Sequence, residues 1–279
     1  MAFTVQAASL ELLTPLLQRA KDDSQNLGLD DVSMILKRFP DGFLVGCLDG
    51  TPICMAAVIR PLAKKCFVGL YYVDKEFRHL GYGHQLWDAV MKYVGDSACT
   101  LDCKMEQLEW FKQFGFKLAH RNIRYRLRRN DFELIEDPAI KPLDQIDFAQ
   151  LLDFDSKVIT TERRDFMHKW LQHHHTLVYY DHNYVRGYGT IRQCHDGYQV
   201  GPLFAENREI AHKLFANLIQ KSDPQAHIFL DVPEINPSAL VLMEFLRMQQ
   251  TSINARISLN NATTIESSMI YGVATFTIL

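Results

Sequence analysis

The run "VDKEFRHLGYGHQLWDAVMKYV", residues 73 to 94, sets Arg78, Gly81 and Gly83 directly ahead of a strongly amphipathic stretch. A helix start leaves its first N–H groups unpaired and aligned with the positive end of the helix dipole, so it attracts anions, phosphate above all. Glycine lets that backbone reach an anion without a Cβ in the way. Gly81 falls where close approach or an unusual φ is needed, and Gly83 falls in the first turn, where a side chain would press on the sheet. The loop from Arg78 to Gly83 is therefore a candidate pyrophosphate cradle, with Arg78 adding charge. A G-x-G pair also serves any strand-to-helix turn, so the neighbouring elements must decide.

Those elements read in a consistent order. A strand-like "FTVQAA" precedes an amphipathic helix from Leu10 to about Lys21 and a second from Leu29 to Arg38. Two β-rich runs, "DGFLVGCLDG" and "TPICMAAVIRP", join through the hairpin signal Asp49-Gly50, and a third, "CFVGLYYV", enters the cradle. Beyond the helix come a buried strand "ACTLDC", a helix "MEQLEWFKQFG" stopped by Gly115, and a long alternating strand "FKLAHRNIRYRLRR". The order β-α-α-β-β-β-α-β-α-β predicts an α/β mixed sheet with helices on both faces. The charged, proline-containing stretch "RRNDFELIEDPAIKP" reads as a boundary, with "FELI" as an optional strand extension, which divides the chain into domains 1–130 and 141–279.

The second half repeats the plan. Helices are predicted at about 144–154 and 161–174, then three strands in "TLVYYDHNYVRGYGTIRQCHDGYQVGPLFA" with turns at Asn183 and Asp196-Gly197. A helix "NREIAHKLFANLIQK", a buried strand "AHIFLDV" and a helix "NPSALVLMEFLRM" with an Asn cap and proline at its first position follow, and a terminal strand "SSMIYGVATFTIL" closes the set. "HQLW" at His84 returns as "HKLF" at His212, 128 residues on, and Leu101-Asp102 returns as Leu230-Asp231, 129 residues on. Two near-equal offsets point to duplication.

With those elements in place, Val73, Arg78, Gly81 and Gly83 form V-x-x-x-x-R-x-x-G-x-G, which resembles the acyl-coenzyme A motif of the GCN5-related N-acetyltransferase (GNAT) superfamily. The resemblance implies a strongly twisted mixed sheet that splays into a V beside the motif, and acetyl-CoA as cosubstrate. Tyr71, Tyr72 and Val73 would flank pantetheine and acyl group, while Arg78, His79, Leu80, Gly81, Tyr82, Gly83 and His84 would surround the phosphates. "EWFKQFGF" resembles the family ending Y-x-x-x-G-F, but Phe111 stands where the family often places a tyrosine acid, and Lys104 where an asparagine is frequent. In the second half, "ENREIAHKL" puts Glu209 and Ala211 at the glycine positions, so no coenzyme is expected there. "NPSALVLM" keeps the family's N-x-x-A-x-x-L through Asn236, Ala239 and Leu242, with Arg247-Met248 in place of Gly-Phe. "VGPLFAEN" and "LDVPEINP" further resemble a YitH-like C-terminal acetyltransferase domain. The implied fold is two tandem GNAT-like domains.

Acyl transfer to an amine needs a neutral amine, a route for its proton and stabilisation of an oxyanion. The strand before the motif has no carboxylate. Candidates are Tyr71 and Tyr72 by proximity, and Asp102 with Cys103 at the end of the next strand. A strand-end Asp also serves as a cap or turn residue, and Cys103 as packing. Direct attack with water relaying the proton requires no dedicated residue.

Composition narrows the class. Thirty Lys and Arg against 33 Asp and Glu, with no long block of one sign, argue against nucleic acid and a membrane surface as partners. No run approaches 18 apolar residues, and the N-terminus lacks signal- or transit-peptide character. Six cysteines without a C-x-x-C pair fit buried thiols in the cytoplasm. His173, His174 and His175, with His168 and His182, fit a solvated helix end better than a metal site. "RNIRYRLRR" alternates as a solvated outer face or a phosphate contact would, and "YYDHNY" suits either an acceptor site or a hairpin. The expected activity is N-acetyl transfer to a small-molecule, amino-acid or protein amine. A noncatalytic acyl-CoA sensor and a glycine N-acyltransferase-like enzyme using longer acyl groups are the alternatives.

Overall fold

A computed structural model describes residues 2–23, 26–62, 64–130, 134–159, 163–260 and 266–274. The first half runs β1 (Phe3–Ala7), α1 (Leu10–Asp22), α2 (Asp31–Arg38), β2 (Phe43–Leu48), β3 (Thr51–Leu62), β4 (Lys65–Val73), α3 (Tyr82–Val94), β5 (Ala98–Lys104), α4 (Leu108–Lys112) and β6 (Lys117–Arg128). This is the predicted order. Local chemistry accounts for its ends: Ser9 caps α1 by accepting from the Leu12 N–H, Asp49 and Gly50 both take positive φ in the β2–β3 turn, and Gly115 ends the α4 segment at φ +88°.

The second half runs β7 (Ile140–Pro142), α5 (Phe148–Val158), α6 (Arg164–His173), β8 (His175–Asp181), β9 (Tyr184–Gln193), β10 (Tyr198–Ala205), α7 (Arg208–Leu218), β11 (His227–Pro233), α8 (Pro237–Phe245), β12 (Gln249–Leu259) and β13 (Ile270–Gly272). The predicted terminal strand is narrower than its sequence run. Residues 267–269 form a 3-10 turn, 270–272 the strand, and 275–279 lie outside the described residues. Part of "FELI" also lies outside them. Strand β12, over "QQTSINARISL", was not anticipated, because its polar residues hide the alternation expected of a strand.

The 13 strands of the described residues join one mixed sheet in the order β1-β2-β3-β4-β5-β12-β6-β11-β10-β9-β8-β7, with β13 on β10. The halves exchange their last long strands. β12 lies between β5 and β6, antiparallel to both, and β6 is antiparallel to β11. At the centre Asn122 and Asn254 are opposite one another, and a pseudo-twofold axis there relates β5–β12 to β11–β6. β6 is consequently an interior strand, which corrects the solvated outer face expected for "RNIRYRLRR". Its Arg124 makes a two-point ion pair with Asp231 at 2.7 and 2.8 Å, and Arg256 on β12 makes the symmetric pair with Asp102 at 2.9 and 2.6 Å.

Burial follows the exchange. Under α3 and α4, Leu86, Trp87, Phe111 and Phe116 pack on Val68 and Leu101 together with Ala255 and Ile257 of the incoming β12. Under α7 and α8, Leu214, Phe215, Leu242 and Met243 pack with Leu127 of β6. A third cluster joins the halves directly: Leu13 and Leu16 of α1 and Ile35 of α2 share it with Leu151 and Phe154 of α5 and Trp170 of α6. Helices α3 and α4 thus cover one face of the first half, and the other face turns toward the second.

Candidate active site

β4 and β5 are parallel neighbours only from Lys65 to Val68 and from Ala98 to Leu101. Past that register they part, leaving Gly69–Val73 and Asp102–Lys104 as the two lips of a V. A bulge between Gly69 and Tyr72, against Ala57 and Met55 of β3, and a positive φ of +52° at Leu70 turn the β4 lip away. Directly beyond it, α3 begins without a capping side chain, and its first bond from the last loop residue is Gln85 N–H to the Gly81 carbonyl at 3.2 Å. The N–H groups of its opening turn therefore keep their capacity to bind an anion.

The glycines divide the work as their positions suggest. Gly81 sits at φ +86°, and a Cβ built there would meet open space, so backbone conformation alone selects glycine. A Cβ on Gly83 would lie 2.7 Å from the Tyr71 hydroxyl and 3.1 Å from Val73 Cγ2, so its absence lets α3 settle on β4. His79 is left-handed at φ +63°, and His79, Leu80 and His84 are exposed around the turn. Tyr82 leans on Phe3, with ring centres 5.1 Å apart. Arg78 does not point outward. Its Nε donates to the Val73 carbonyl at 2.9 Å, its terminal nitrogen pairs with Asp23, and its guanidinium lies 5.7 Å from the Tyr72 ring centre. Lys75 joins the same carboxylate at 2.9 Å. Burial opposes ionisation of Asp23, yet hydrogen bonds and charge from Arg78 and Lys75 hold its carboxyl below the ordinary range. Arg78 is a splint for the cradle's stem.

On the lip, Tyr71 and Val73 face α3 and α4, while Leu70 and Tyr72 face the cluster shared with the second half. The Tyr71 ring stacks on Trp110 and meets Trp87 and Phe111 edge-on. Burial raises both phenols, and for Tyr72 the charges of Asp74 and Asp23 add to it. Both remain protonated near neutrality, so they are donors and not bases. Phe111 is 1% exposed behind Tyr71, Trp87 and Trp110. Restoring the family's phenol there, Phe111→Tyr, is expected to lower stability by about 1–3 kcal/mol through a buried unpaired hydroxyl, with no gain in thiol release. Thermal unfolding and a turnover assay check it, and a faster enzyme would refute this picture of the pocket.

Asp102, the candidate base, lies in an ion pair. Its side chain is 2% exposed, both oxygens are held by Arg256, and Asn122 donates to one of them at 2.9 Å. Three donors and burial leave this carboxylate little room to meet an ammonium, and it is neither cap nor turn residue. Beside it Cys103 is buried, its thiol pushed up to about 12, which makes it packing.

His120, directly opposite Arg256 in the β6–β12 register, went unnoticed in the sequence. Burial, then the Arg256 charge, lowers its pKa to about 4 from an ordinary 6.5. The folded value lies below the unfolded one, so its contribution is complete above about pH 6.5 and is lost as pH falls toward 4. Stability is expected to drop by about 2 kcal/mol between pH 7.5 and 5 on this account, and less in His120→Gln. Urea midpoints across that range test it.

The second half has the same frame with its slot filled. β10 and β11 are parallel from Tyr198 to Val200 and from Ile228 to Leu230, then part as β4 and β5 do. β13 enters that V. Gly272 pairs with Leu203 and Ile270 with Phe204 on one lip, and the Val273 N–H donates to the Asp231 carbonyl on the other at 2.9 Å. The Asn236 side chain, which caps α8, also donates to the carbonyls of Ser268 and Ile270 and so pins the insert. Only Glu206 and Asn207 connect β10 to α7, where eight residues connect β4 to α3. Asn207 takes the Ile210 N–H at 3.0 Å, and Glu209 stands in the first turn paired to Lys213 at 2.7 Å. The cap thus takes one of the opening N–H groups, and the Glu209 carboxylate adds negative charge beside the rest.

Other candidates resolve simply. His173 pairs with Asp30 at 3.0 Å, and His174 is largely buried, its pKa lowered to about 3 by burial and then by Arg192 and His173. Among the described residues no group of three or more His, Cys, Asp or Glu is placed to hold a metal, and no helix is long and apolar enough to cross a membrane. "YYDHNY" forms the β8–β9 hairpin, with His182 and Asn183 at positive φ. The ion-pair arginines had a legible signal that was missed: "NIR" at Asn122 returns as "NAR" at Asn254, 132 residues on.

Comparison with known proteins follows this division. Residues 10–116 match the family described as acetyltransferase (GNAT) family, and residues 151–272 match the one described as acetyltransferase (GNAT) domain. The chain is 24% identical over 236 residues to holothin acyltransferase of Pseudoalteromonas sp. (strain SANK 73390), covering 84% of this chain and 80% of that protein. A provisionally assigned acetyltransferase from Pyrococcus horikoshii superposes with a TM-score of 0.83 at 18% identity, over 99% of this chain and 95% of that one. A tandem GNAT protein from the clavulanic acid biosynthesis pathway gives 0.66 at 11% identity, over 94% and 99%. With one family match in each half and the fold shared throughout, the chain belongs to the GCN5-related N-acetyltransferase superfamily and carries two GNAT domains in tandem.

Proposed function

We propose that the chain is an N-acetyltransferase whose first domain binds acetyl-CoA and transfers the acetyl group to the amine of a small molecule, an amino acid or a protein. The observation that carries this reading is one open cradle beside one open V in the first half, set against a capped helix and a filled V in the second. The open site fits the coenzyme. Backbone from Arg78 to His84 would hold its pyrophosphate, and the edge from Gly69 to Tyr72, past the register with β5, would hydrogen-bond its pantetheine. Bound there, the coenzyme supplies an activated thioester.

The chain's own residues do the remainder. Tyr71 and Tyr72 are protonated donors at the lip, Asp102 is withheld by Arg256, and the amine's proton leaves to water. Six buried free thiols suit a reducing compartment, which supports a cytoplasmic location. Screening amines for thiol release from acetyl-CoA tests the reading, with turnover above background expected for at least one acceptor class. Phe111 and Asp102 also favour a second reading, an acyl-CoA sensor, which would bind coenzyme and release no thiol. Faster release from a longer acyl-CoA would instead indicate a glycine N-acyltransferase-like activity.

A further inference from the structure

The α3–α4 side of the V is closed by Tyr71, Trp87, Trp110 and Phe111, whose ring centres lie 4.8–6.3 Å apart. An acceptor therefore reaches a thioester held between β4 and β5 from the other face, the one turned toward the second domain. Strand alternation decides what that face carries on the β5 lip. Leu101 and Cys103 pack under α3 and α4, so Asp102 and Lys104 belong to the opposite face. Lys104 is still extended at φ −63° and ψ 146°, and Gln107 accepts from its backbone N–H at 3.3 Å, which fixes the strand end. Its cross-strand partner is Asn254 of β12. Ala255 packs under α3 and α4, so Asn254 shares the face of Lys104 as its direct neighbour. Two cross-strand rows thus meet at the lip, Asp102–Arg256–His120 and Lys104–Asn254–Asn122. In the first, the carboxylate and guanidinium cancel, and His120, lowered to about 4 by burial and then by Arg256, is neutral near pH 7. In the second, the Lys104 charge is left over: Lys104 is exposed and makes no ion pair among the described residues. Glu106 lies beyond the strand, in the turn that leads to α4.

We infer that Lys104, with the Asn254 amide beside it, selects acceptor amines that carry an anionic group, a carboxylate above all. The inference rests on the reading of the V as the site of acetyl transfer. The ammonium and the amide donate to the acceptor's carboxylate, while its amine faces the slot between β4 and β5. A cationic acceptor such as a polyamine is repelled, so the same residue attracts one class and rejects another. Because β12 belongs to the second domain, that domain takes part in choosing the acceptor without holding coenzyme.

The test measures thiol release from acetyl-CoA by the full chain with amines of each charge. The anionic set is amino acids, β-alanine, taurine and acidic peptides; the neutral set is amino-acid amides and ethanolamine; the cationic set is putrescine, spermidine and lysine-rich peptides. The anionic set is expected to turn over best. Lys104→Gln should raise KM for its members by about tenfold with kcat nearly unchanged, Lys104→Glu by more, and Lys104→Arg should stay near wild type. Asn254→Ala should raise the same KM by about threefold. Lys92→Gln, in the last turn of α3, is expected to change neither constant. Equal use of an amino acid and its amide, or an anionic KM that Lys104→Glu leaves in place, overturns the selection and leaves acetyl transfer standing. Thiol release from none of the amines, in a protein that binds coenzyme A, sinks the acetyl-transfer reading and this inference with it.

Discussion

Replacing Gly81 by glutamate is expected to weaken coenzyme A binding by about a hundredfold or more, to the limit of calorimetric detection. Two separable terms contribute. Any side chain at φ +86° strains the backbone by about 1 kcal/mol, although a Cβ meets nothing. A carboxylate at the mouth of the cradle adds repulsion of the pyrophosphate, where the helix start would otherwise attract it. A series separates them. Gly81→Ala should cost about five- to tenfold from strain alone, Gly81→Lys no more than that, and Gly81→Glu far more. Equal losses for Lys and Glu would mean that no anion occupies the cradle. Glu209→Gly in the second half should create no second site, and stoichiometry should stay at one, because Asn207 and β13 still fill it.

The cradle was legible because its constraints are local. Gly81 and Gly83 answer to the backbone and the strand immediately beneath, and four letters of sequence carry that information. The order of the first ten elements was legible for a related reason, since hydrophobic period and turn chemistry act over a few residues. What escaped depends on partners far along the chain. Asp102 looked like a free carboxylate at a strand end because its guanidinium arrives 154 residues later, on a strand whose polar outer positions conceal it. "RNIRYRLRR" looked like an outer face because arginines usually are, and only strand exchange supplies Asp231 to Arg124. The β13 insert was read as a strand, but which groove it fills follows from topology and not from composition.

Strand exchange predicts the largest stability effect in the molecule. Arg256→Met should destabilise the protein by about 3–5 kcal/mol, because it leaves the Asp102 carboxylate buried beside β12 without its partner. Arg124→Met should act alike through Asp231, whose side chain is fully buried and, among the described residues, otherwise keeps the Gln199 amide at 2.6 Å. Removing both members of one pair, Asp102→Leu with Arg256→Met, should recover most of the loss, since two buried charges go together. Each pair ties a strand of one domain to a strand of the other, so a single variant should shift the entire unfolding curve and not detach one half. Urea denaturation followed by fluorescence, with Trp87 and Trp110 in the first domain and Trp170 in the second, reads both properties. Two separate transitions would contradict the coupling. The same variants decide the status of Asp102, because a catalytic base and a structural anion respond differently. If Asp102 only holds β12, the double variant keeps turnover per folded molecule near the wild-type value. A loss of turnover by orders of magnitude in a stable, folded double variant would return Asp102 to the reaction and leave Arg256 as the group that positions it.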